Sequence, residues 1–302
     1  MLELMAVKLK YDKSDIIFLD DDGLKKYQSE LLKMISDVFT FFDENGIAYS
    51  LSGGSILGAI RHKGFIPWDD DVDINIPRES YDKLFSLFES DNSLSRKYYL
   101  QSPKSHPELG LHVSQIRKKG TVARRKYDHS AEECGISIDL YIVENVYNNP
   151  VKRFFQGYTS MFLTFALASV RETKNHALMK EMFRLEGRKL NYSAGKLMVG
   201  WFFGIIPIEK WLNWLDKCNS SCKDSHTKYV SIPTGRKHFR RETYLRENMN
   251  IYKKVPFETL MVNVPVWSEE YLEMFYGKDY MVVPPVDKRE QHLFLELSYG
   301  EE

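Results

Sequence analysis

SLSGGSILGAIRHKGFIPWDDDVDINIP, residues 50–77, sets two features side by side whose chemistry fits together. The first is a glycine pair, Gly53 and Gly54, flanked by Ser52 and Ser55 and running into the helix-like Ile56-Leu57-Gly58-Ala59-Ile60-Arg61. The second is a carboxylate cluster, Asp69, Asp70, Asp71 and Asp73, leading into the strand-like Val72-Asp73-Ile74-Asn75-Ile76. Side chains alternate along a strand, so Asp71 and Asp73 are expected on one face and Val72 and Ile74 on the other. Carboxylates held side by side repel, and a divalent cation is the natural compensation. Oxygen-only ligands of this kind suit Mg²⁺ or Mn²⁺, which join protein carboxylates to substrate phosphates.

The glycine part supplies what a phosphate needs. Gly53 and Gly54 permit close backbone approach, and Ser55 is placed to cap the following helix, whose free N–H groups favour an anion. Arg61 and His62 follow about two turns later and add positive charge. A Gly-Gly-Ser turn alone is usually just a turn, and an acidic run alone is usually a solvated loop. Here Phe65, Ile66, Pro67 and Trp68 precede the acids and Val72, Ile74 and Ile76 follow them, an apolar fence that a solvated loop does not need. A phosphate cradle beside a metal-binding Asp-x-Asp is the core of a phosphoryl or nucleotidyl transfer site.

The run from Gly53 to Asp73 resembles the signature of the LicD family, whose fold is similar to that of the nucleotidyltransferase superfamily and which includes phosphocholine transferases of bacterial surface polymers; fukutin-related enzymes are distant relatives. The resemblance covers roughly residues 24–143 and 254–292. It implies an α/β (α+β) fold, a nucleotidyltransferase-type mixed sheet with flanking helices, and an Mg²⁺- or Mn²⁺-dependent enzyme. The implied donor is a CDP-linked alcohol, CDP-choline first among them, and the implied acceptor is a hydroxyl on a glycan, lipid-linked glycan or teichoic-acid-type precursor. Asp71 and Asp73 would hold metal against the diphosphate, with Asp69 and Asp70 supporting them. Gly53, Gly54, Ser55, Arg61 and His62 would hold phosphate. Nucleotidyl transfer from a nucleoside triphosphate, and a non-catalytic polymer-binding role, are the alternatives.

The bulk numbers agree with a cytoplasmic enzyme. The 302 residues suffice for one large domain with an appended subdomain. Lysine plus arginine number 42, as do aspartate plus glutamate, so nothing points to nucleic acid as the partner. Three cysteines, Cys134, Cys218 and Cys222, do not make a disulfide framework, and no signal peptide is read at the N-terminus.

Residues 1–149 are expected to form the catalytic core, 150–225 a helical insertion, and 226–302 the C-terminal part of the core. Residues 1–22 read as an extended lead-in ending in the acidic turn Asp20-Asp21-Asp22-Gly23. Leu24, Tyr27, Leu31, Ile35, Val38 and Phe42 recur at helical spacing, and Gly46 stops that helix. Arg78–Ser90 is a second amphipathic helix. Tyr98–Leu100, Leu111–Arg117, Thr121–Arg125 and Ile136–Val143 read as strands, the middle two flanking a turn at Lys118-Lys119-Gly120. The basic cluster Arg117, Lys118, Lys119, Arg124, Arg125 and Lys126 suits an anionic partner but more often marks a solvated hairpin tip.

Asp139 sits among apolar neighbours, where a lone carboxylate is costly. It is either paired with a base such as Arg117 or is a third acid of the site; the family resemblance favours the latter, binding metal and helping to deprotonate the attacking hydroxyl.

In the insertion, Phe154–Val170 is strongly apolar but short and interrupted for a membrane span, and a buried core helix is expected. Leu197–Ile208, Trp211 and Trp214, beside Lys196, Lys210 and Lys217, suit either a bilayer interface or a hydrophobic subdomain core. A lipid-linked acceptor would meet the protein here, at the inner membrane surface. Cys218, Cys222 and His226 share one face if their helix continues, but zinc needs a fourth ligand and none is evident locally. Toward the C-terminus, Lys254–Glu258 and Val264–Val266 resemble the family's paired short strands, and Glu269–Phe275 reads as a helix ended at Gly277. Lys288, Arg289 and His292 are candidate contacts to substrate phosphate.

Overall fold

A computed structural model of the chain describes residues 17–125, 128, 133–176, 180, 184, 194–289 and 293–300. The long helix α1 (Asp21–Glu44) begins inside the acidic turn: Asp20 Oδ1 accepts from the Gly23 N–H at 2.8 Å, and Asp21 and Asp22 favour the positive helix start. All six periodic apolar residues of the sequence are buried, and Gly46, at φ 60°, turns the chain out of the helix.

Six strands follow: β1 (Ser50–Leu51), β2 (Asp73–Pro77), β3 (Tyr98–Gln101), β4 (Ser114–Lys118), β5 (Val122–Arg124) and β6 (Ser137–Val146). Five of them form a mixed sheet in the order β1-β2-β6-β4-β3, parallel only between β2 and β6. Further strands β7 (Tyr229–Ser231) and β8 (Thr243–Leu245) extend it from the end of β6, where Glu144 faces Ser231. Between β1 and β2 lie the short helix α2 (Gly53–Leu57) and a π-helical turn (Gly58–His62). α3 (Arg78–Phe88) follows β2, and α4 (Ser93–Lys97), capped by Asn92, precedes β3. The fold is α/β, as the sequence implies.

β4 and β5 flank the Lys118–Gly120 turn but do not pair. Both edges of β4 are taken by β3 and β6, so β5 pairs instead with β11 (Glu296–Ser298). The basic cluster is therefore no solvated hairpin tip. Arg117 is buried against Asp128 at 2.7 Å, Lys118 meets Glu30 at 2.7 Å, and Arg124 meets Glu296 at 3.0 Å. Lys126 lies outside the described residues. Between β8 and β11 come the hairpin β9 (Tyr252–Phe257) and β10 (Leu260–Pro265), then the helix Ser268–Tyr276.

α5 (Pro150–Lys174), α6 (Ala194–Phe203) and α7 (Ile208–Asn219) pack on one another around Leu163, Leu167, Val170, Trp211 and Leu215. α5 is the expected core helix on one face only. Its inward face joins Leu163, Ala166, Leu167 and Val170 to small or polar residues (Gln156, Gly157, Ser160, Thr164, Ser169), while Phe154, Phe155, Phe162 and Phe165 point outward. Gly157 explains the close approach: a Cβ there would lie 2.9 Å from the Phe239 ring. Gln156 Nε2 donates to the carbonyls of Asn145 and Asn219, and Arg78 bridges Glu144 on β6 to Asp216 on α7, fastening these helices to the sheet. Among the described residues no helix is long and apolar enough to cross a membrane. α7 stops at Asn219, so Cys218, Cys222 and His226 do not share a helical face.

Candidate active site

The parallel pairing of β2 with β6 sets Asp73 directly beside Asp139. On its other side Asp139 faces Gln115 of β4, whose Nε2 donates to Asp139 Oδ1 at 2.7 Å. Gln115 has no freedom to turn its amide round. Its Oε1 accepts from Arg117 Nη2 at 2.7 Å and from Gln101 Nε2 at 3.0 Å, which leaves only the NH₂ for Asp139. Arg117 thus reaches Asp139 through Gln115, and its own ion pair is with Asp128.

Asp69, Asp70 and Asp71 occupy the loop before β2, and one carboxylate oxygen of each lies within 4.8 Å of the others. The strand begins only at Asp73, so Asp71 belongs to this loop rather than to the strand face expected for it. Val72 between them is fully buried, and its carbonyl accepts the Asp139 N–H at 2.9 Å. Asp70 differs from its neighbours. It is buried, and Arg125 Nη2 donates both to its carbonyl at 2.9 Å and to Oδ2 at 3.2 Å. Burial works against the Arg125 charge, but Asp70, with Tyr27, Asp71 and Asp139 behind it, holds the guanidinium pKa above its ordinary value.

Three carboxyls here hold their protons far more tightly than usual. Asp73 is raised well above the carboxylate range by burial first, then by Asp71, Asp139 and Asp69. Asp69 is raised by burial, then by Asp71 and Asp70. Asp139 is raised by burial, against the pull of its hydrogen bond from Gln115. Acids in this state are short of positive charge, and an all-oxygen donor set of this kind fits a hard divalent cation.

The glycine turn abuts the acids. Gly53 takes φ +47°, and a Cβ there would lie 3.3 Å from Asp73 Oδ2; one on Gly54 would lie 3.3 Å from Asp69 Oδ2 and 3.9 Å from the Tyr276 hydroxyl. Ser52, not Ser55, precedes the helix, and Ser55 Oγ accepts the Asp73 N–H at 2.9 Å. The fully buried Tyr271 phenol lies against the Gly53 backbone and the Ser52 side chain. Arg61 lies at the far end of the π-helical turn. Its Nη1 donates to the Tyr280 carbonyl at 2.7 Å and its Nε to His62 Nε2 at 2.9 Å, so it fastens the C-terminal segment to this turn. The Arg289 guanidinium lies 4.2 Å from the Trp68 ring centre, one residue before the acids. Lys288 ends an exposed 3₁₀ turn, and His292 lies outside the described residues.

Two tyrosines complete the site. Tyr141 follows Asp139 by two residues on β6 and so shares its face. Its phenol is pushed up chiefly by the Asp73 charge, then by burial and Asp139. Tyr276 is pushed up by burial, then by Asp73 and Asp69, with Arg236 pulling the other way. Both remain protonated donors at neutral pH. Arg236 rides on a loop closed by the buried Glu242, which accepts the Lys237 N–H at 2.7 Å; burial pushes the Glu242 carboxyl up to about 7. Strand alternation could have found Tyr141 from Asp139. Gln115 and Arg236 carry no local signal, and nothing local ties Arg125 or Tyr276 to the acids, because sheet register and long-range packing bring them in.

The loop is braced from both ends of the chain. Gln28 Nε2 on α1 donates to the Asp69 carbonyl at 2.8 Å. Glu258, in the β9–β10 turn, accepts the Phe65 N–H at 3.0 Å and donates its own N–H to the Lys63 carbonyl at 2.7 Å.

The sequence profile of the LicD/FKTN/FKRP nucleotidyltransferase domain matches residues 46–165. The lipopolysaccharide cholinephosphotransferase LicD of Haemophilus influenzae is 23% identical over 280 residues, 89% of this chain and 95% of that protein. An uncharacterized protein of Rickettsia prowazekii is 38% identical over 69 residues, 21% of this chain and 26% of its own. The human ribitol 5-phosphate transferase FKRP is 61% identical over 31 residues, 10% of this chain and 6% of that protein. The matched domain spans the glycine turn, the acid loop and the strand of Asp139, so this chain carries a stretch similar to the LicD/FKTN/FKRP nucleotidyltransferase domain and resembles LicD over most of its length.

Proposed function

We propose that the chain is a divalent-cation-dependent phosphotransferase that moves an alcohol phosphate, phosphocholine from CDP-choline in the first instance, onto a hydroxyl of a cell-surface glycan or teichoic-acid-type precursor. The observation that carries this reading is the contact between the glycine turn and the acids, which puts a close-approach backbone beside a carboxylate cluster short of positive charge. Two relatives, LicD and FKRP, are named for transfer of an alcohol phosphate.

Asp69, Asp71 and Asp73 are the residues that would hold Mg²⁺ or Mn²⁺, with Asp70 pinned by Arg125 as the brace of their loop. The cation would supply positive charge for the donor diphosphate and for the attacking and leaving oxygens. Asp139 is assigned the role of base. Its raised pKa suits it to take the proton of the acceptor hydroxyl, whose oxygen bonds to the distal phosphorus as the bond to CMP breaks. Gln115 holds Asp139 in place. Tyr141 and Tyr276, as protonated phenols, are assigned hydrogen bonds to phosphoryl oxygens. The Gly53–Ser55 turn lines the phosphate side, and Arg61, His62, Lys288, Arg289 and His292 are assigned as further contacts to substrate phosphate.

The test is calorimetric titration of CDP-choline, CDP-glycerol, CDP-ribitol and CTP, with and without Mg²⁺. Cation-dependent binding of one CDP-alcohol, and CMP release on adding a glycan acceptor, are expected for the wild type and not for Asp73→Asn. Binding of CTP alone would replace this reading with nucleotidyl transfer. Absence of binding by all four to a folded sample would overturn it.

A further inference from the structure

We infer that the outward faces of α5 and α6 form a docking surface for an anionic lipid bilayer. α5 buries one apolar face and turns a second one to solvent. Val151, Phe154, Phe155, Tyr158, Phe162 and Phe165 fall at i, i+3, i+4, i+7, i+11 and i+14, one apolar stripe, and that stripe is exposed. The opposite face, which packs on α7 and Phe239, combines Leu163, Ala166, Leu167 and Val170 with small and polar residues, so α5 is apolar on both sides. α6 continues the surface: Trp201 is 69% exposed and Phe202 63%. The Phe162 ring lies 5.8 Å from that of Phe203, joining the two stripes.

Phe154, Phe155, Phe162, Phe165, Trp201 and Phe202 leave about 700 Å² of side-chain surface uncovered, taking about 200 Å² for each. That reaches the upper end of what a soluble monomer exposes in one patch.

Charge selects the occupant. Residues 151–170 and 194–207 contain no aspartate or glutamate. At the rim stand Lys152, Arg153 and Arg240, the last donating to the Tyr158 hydroxyl at 2.8 Å. Aromatic rings edged by cations match the headgroup boundary of an anionic membrane. A second copy of this chain would bring cation rim against cation rim with no acid on either stripe to pair them. The inference stands on this surface and not on the transfer chemistry.

Flotation of the full chain with vesicles tests it, using phosphatidylcholine alone and mixed with phosphatidylglycerol. Binding is expected to the mixed vesicles, and Phe155→Ser with Phe162→Ser should weaken partitioning by at least about tenfold, since both rings lose their apolar burial. Both positions are exposed, so the thermal midpoint and donor binding should not change. Independently, brominated lipid should quench tryptophan fluorescence, and most of that quenching should vanish in Trp201→Phe. No flotation, flotation indifferent to the substitutions, or a lipid-free dimer that the substitutions dissolve would each overturn the inference.

Discussion

Replacing Asp71 by Asn should make the metal-free protein more stable and the cation effect disappear. Two unit charges 4.8 Å apart, the spacing within the Asp69–Asp71 group, repel by about 3.5 kcal/mol at an effective dielectric of about 20 and by about 0.9 kcal/mol in bulk water. Asp71 is half-buried, so removing its charge should relieve about 1–3 kcal/mol. At roughly 2 °C per kcal/mol for a chain of this size, the thermal midpoint should rise by about 2–6 °C. The wild type should gain a similar amount from saturating Mg²⁺ or Mn²⁺, about 2.7 kcal/mol at a hundred times the dissociation constant. In the variant that gain should shrink to near zero. Scanning calorimetry of both proteins in chelator and in millimolar cation reads all four midpoints. A variant less stable than wild type in chelator would refute the repulsion argument. Equal cation effects in the two proteins would refute the assignment of Asp71 to the cation.

Glu242 gives a pH prediction of defined sign. Its carboxyl is raised from 4.5 to about 7 in the folded chain, so between those values the folded state binds more protons than the unfolded one. Stability should therefore fall by about 3 kcal/mol as pH rises through that window, and Glu242→Gln should flatten the profile and be the more stable protein at pH 8, as measured by urea titration across pH. Tyr276→Phe should cut transfer by about 10²-fold while leaving donor binding near wild type, because a donor serving the transition state is lost; a change confined to binding would place the hydroxyl elsewhere. Glu258→Ala should cost about 1–3 kcal/mol, since the Phe65 N–H loses its carboxylate acceptor, and denaturant midpoints measure it. Gly64→Ala should cost at least as much, since a Cβ at Gly64 would lie 2.0 Å from Glu258 Oε1.

What the sequence disclosed follows from how far apart the interacting residues lie. α1 was legible because its six core residues repeat within one helix, and the acids were legible because they are nearly contiguous. The β5–β11 pairing was not, since Arg124 and Glu296 are 172 residues apart. The orientation of α5 was also hidden. Hydrophobic content measures how much apolar surface a helix carries, while the small residues Gly157 and Ser160 decide which side packs closely. The acid loop joins both cases in one place. Several carboxylates brought together repel, so the loop needs holders that are not themselves acids of the motif. Those holders arrive from α1 (Gln28), β4 (Gln115), Arg125 after β5, the β9–β10 turn (Glu258) and the Ser268–Tyr276 helix (Tyr271). A nearby residue of the same loop would have to turn its side chain back on its own backbone, whereas a residue on a separate element is aimed by that element's packing. The legible cluster and its illegible supports therefore have one physical origin: charge concentrated locally is held by geometry supplied from afar.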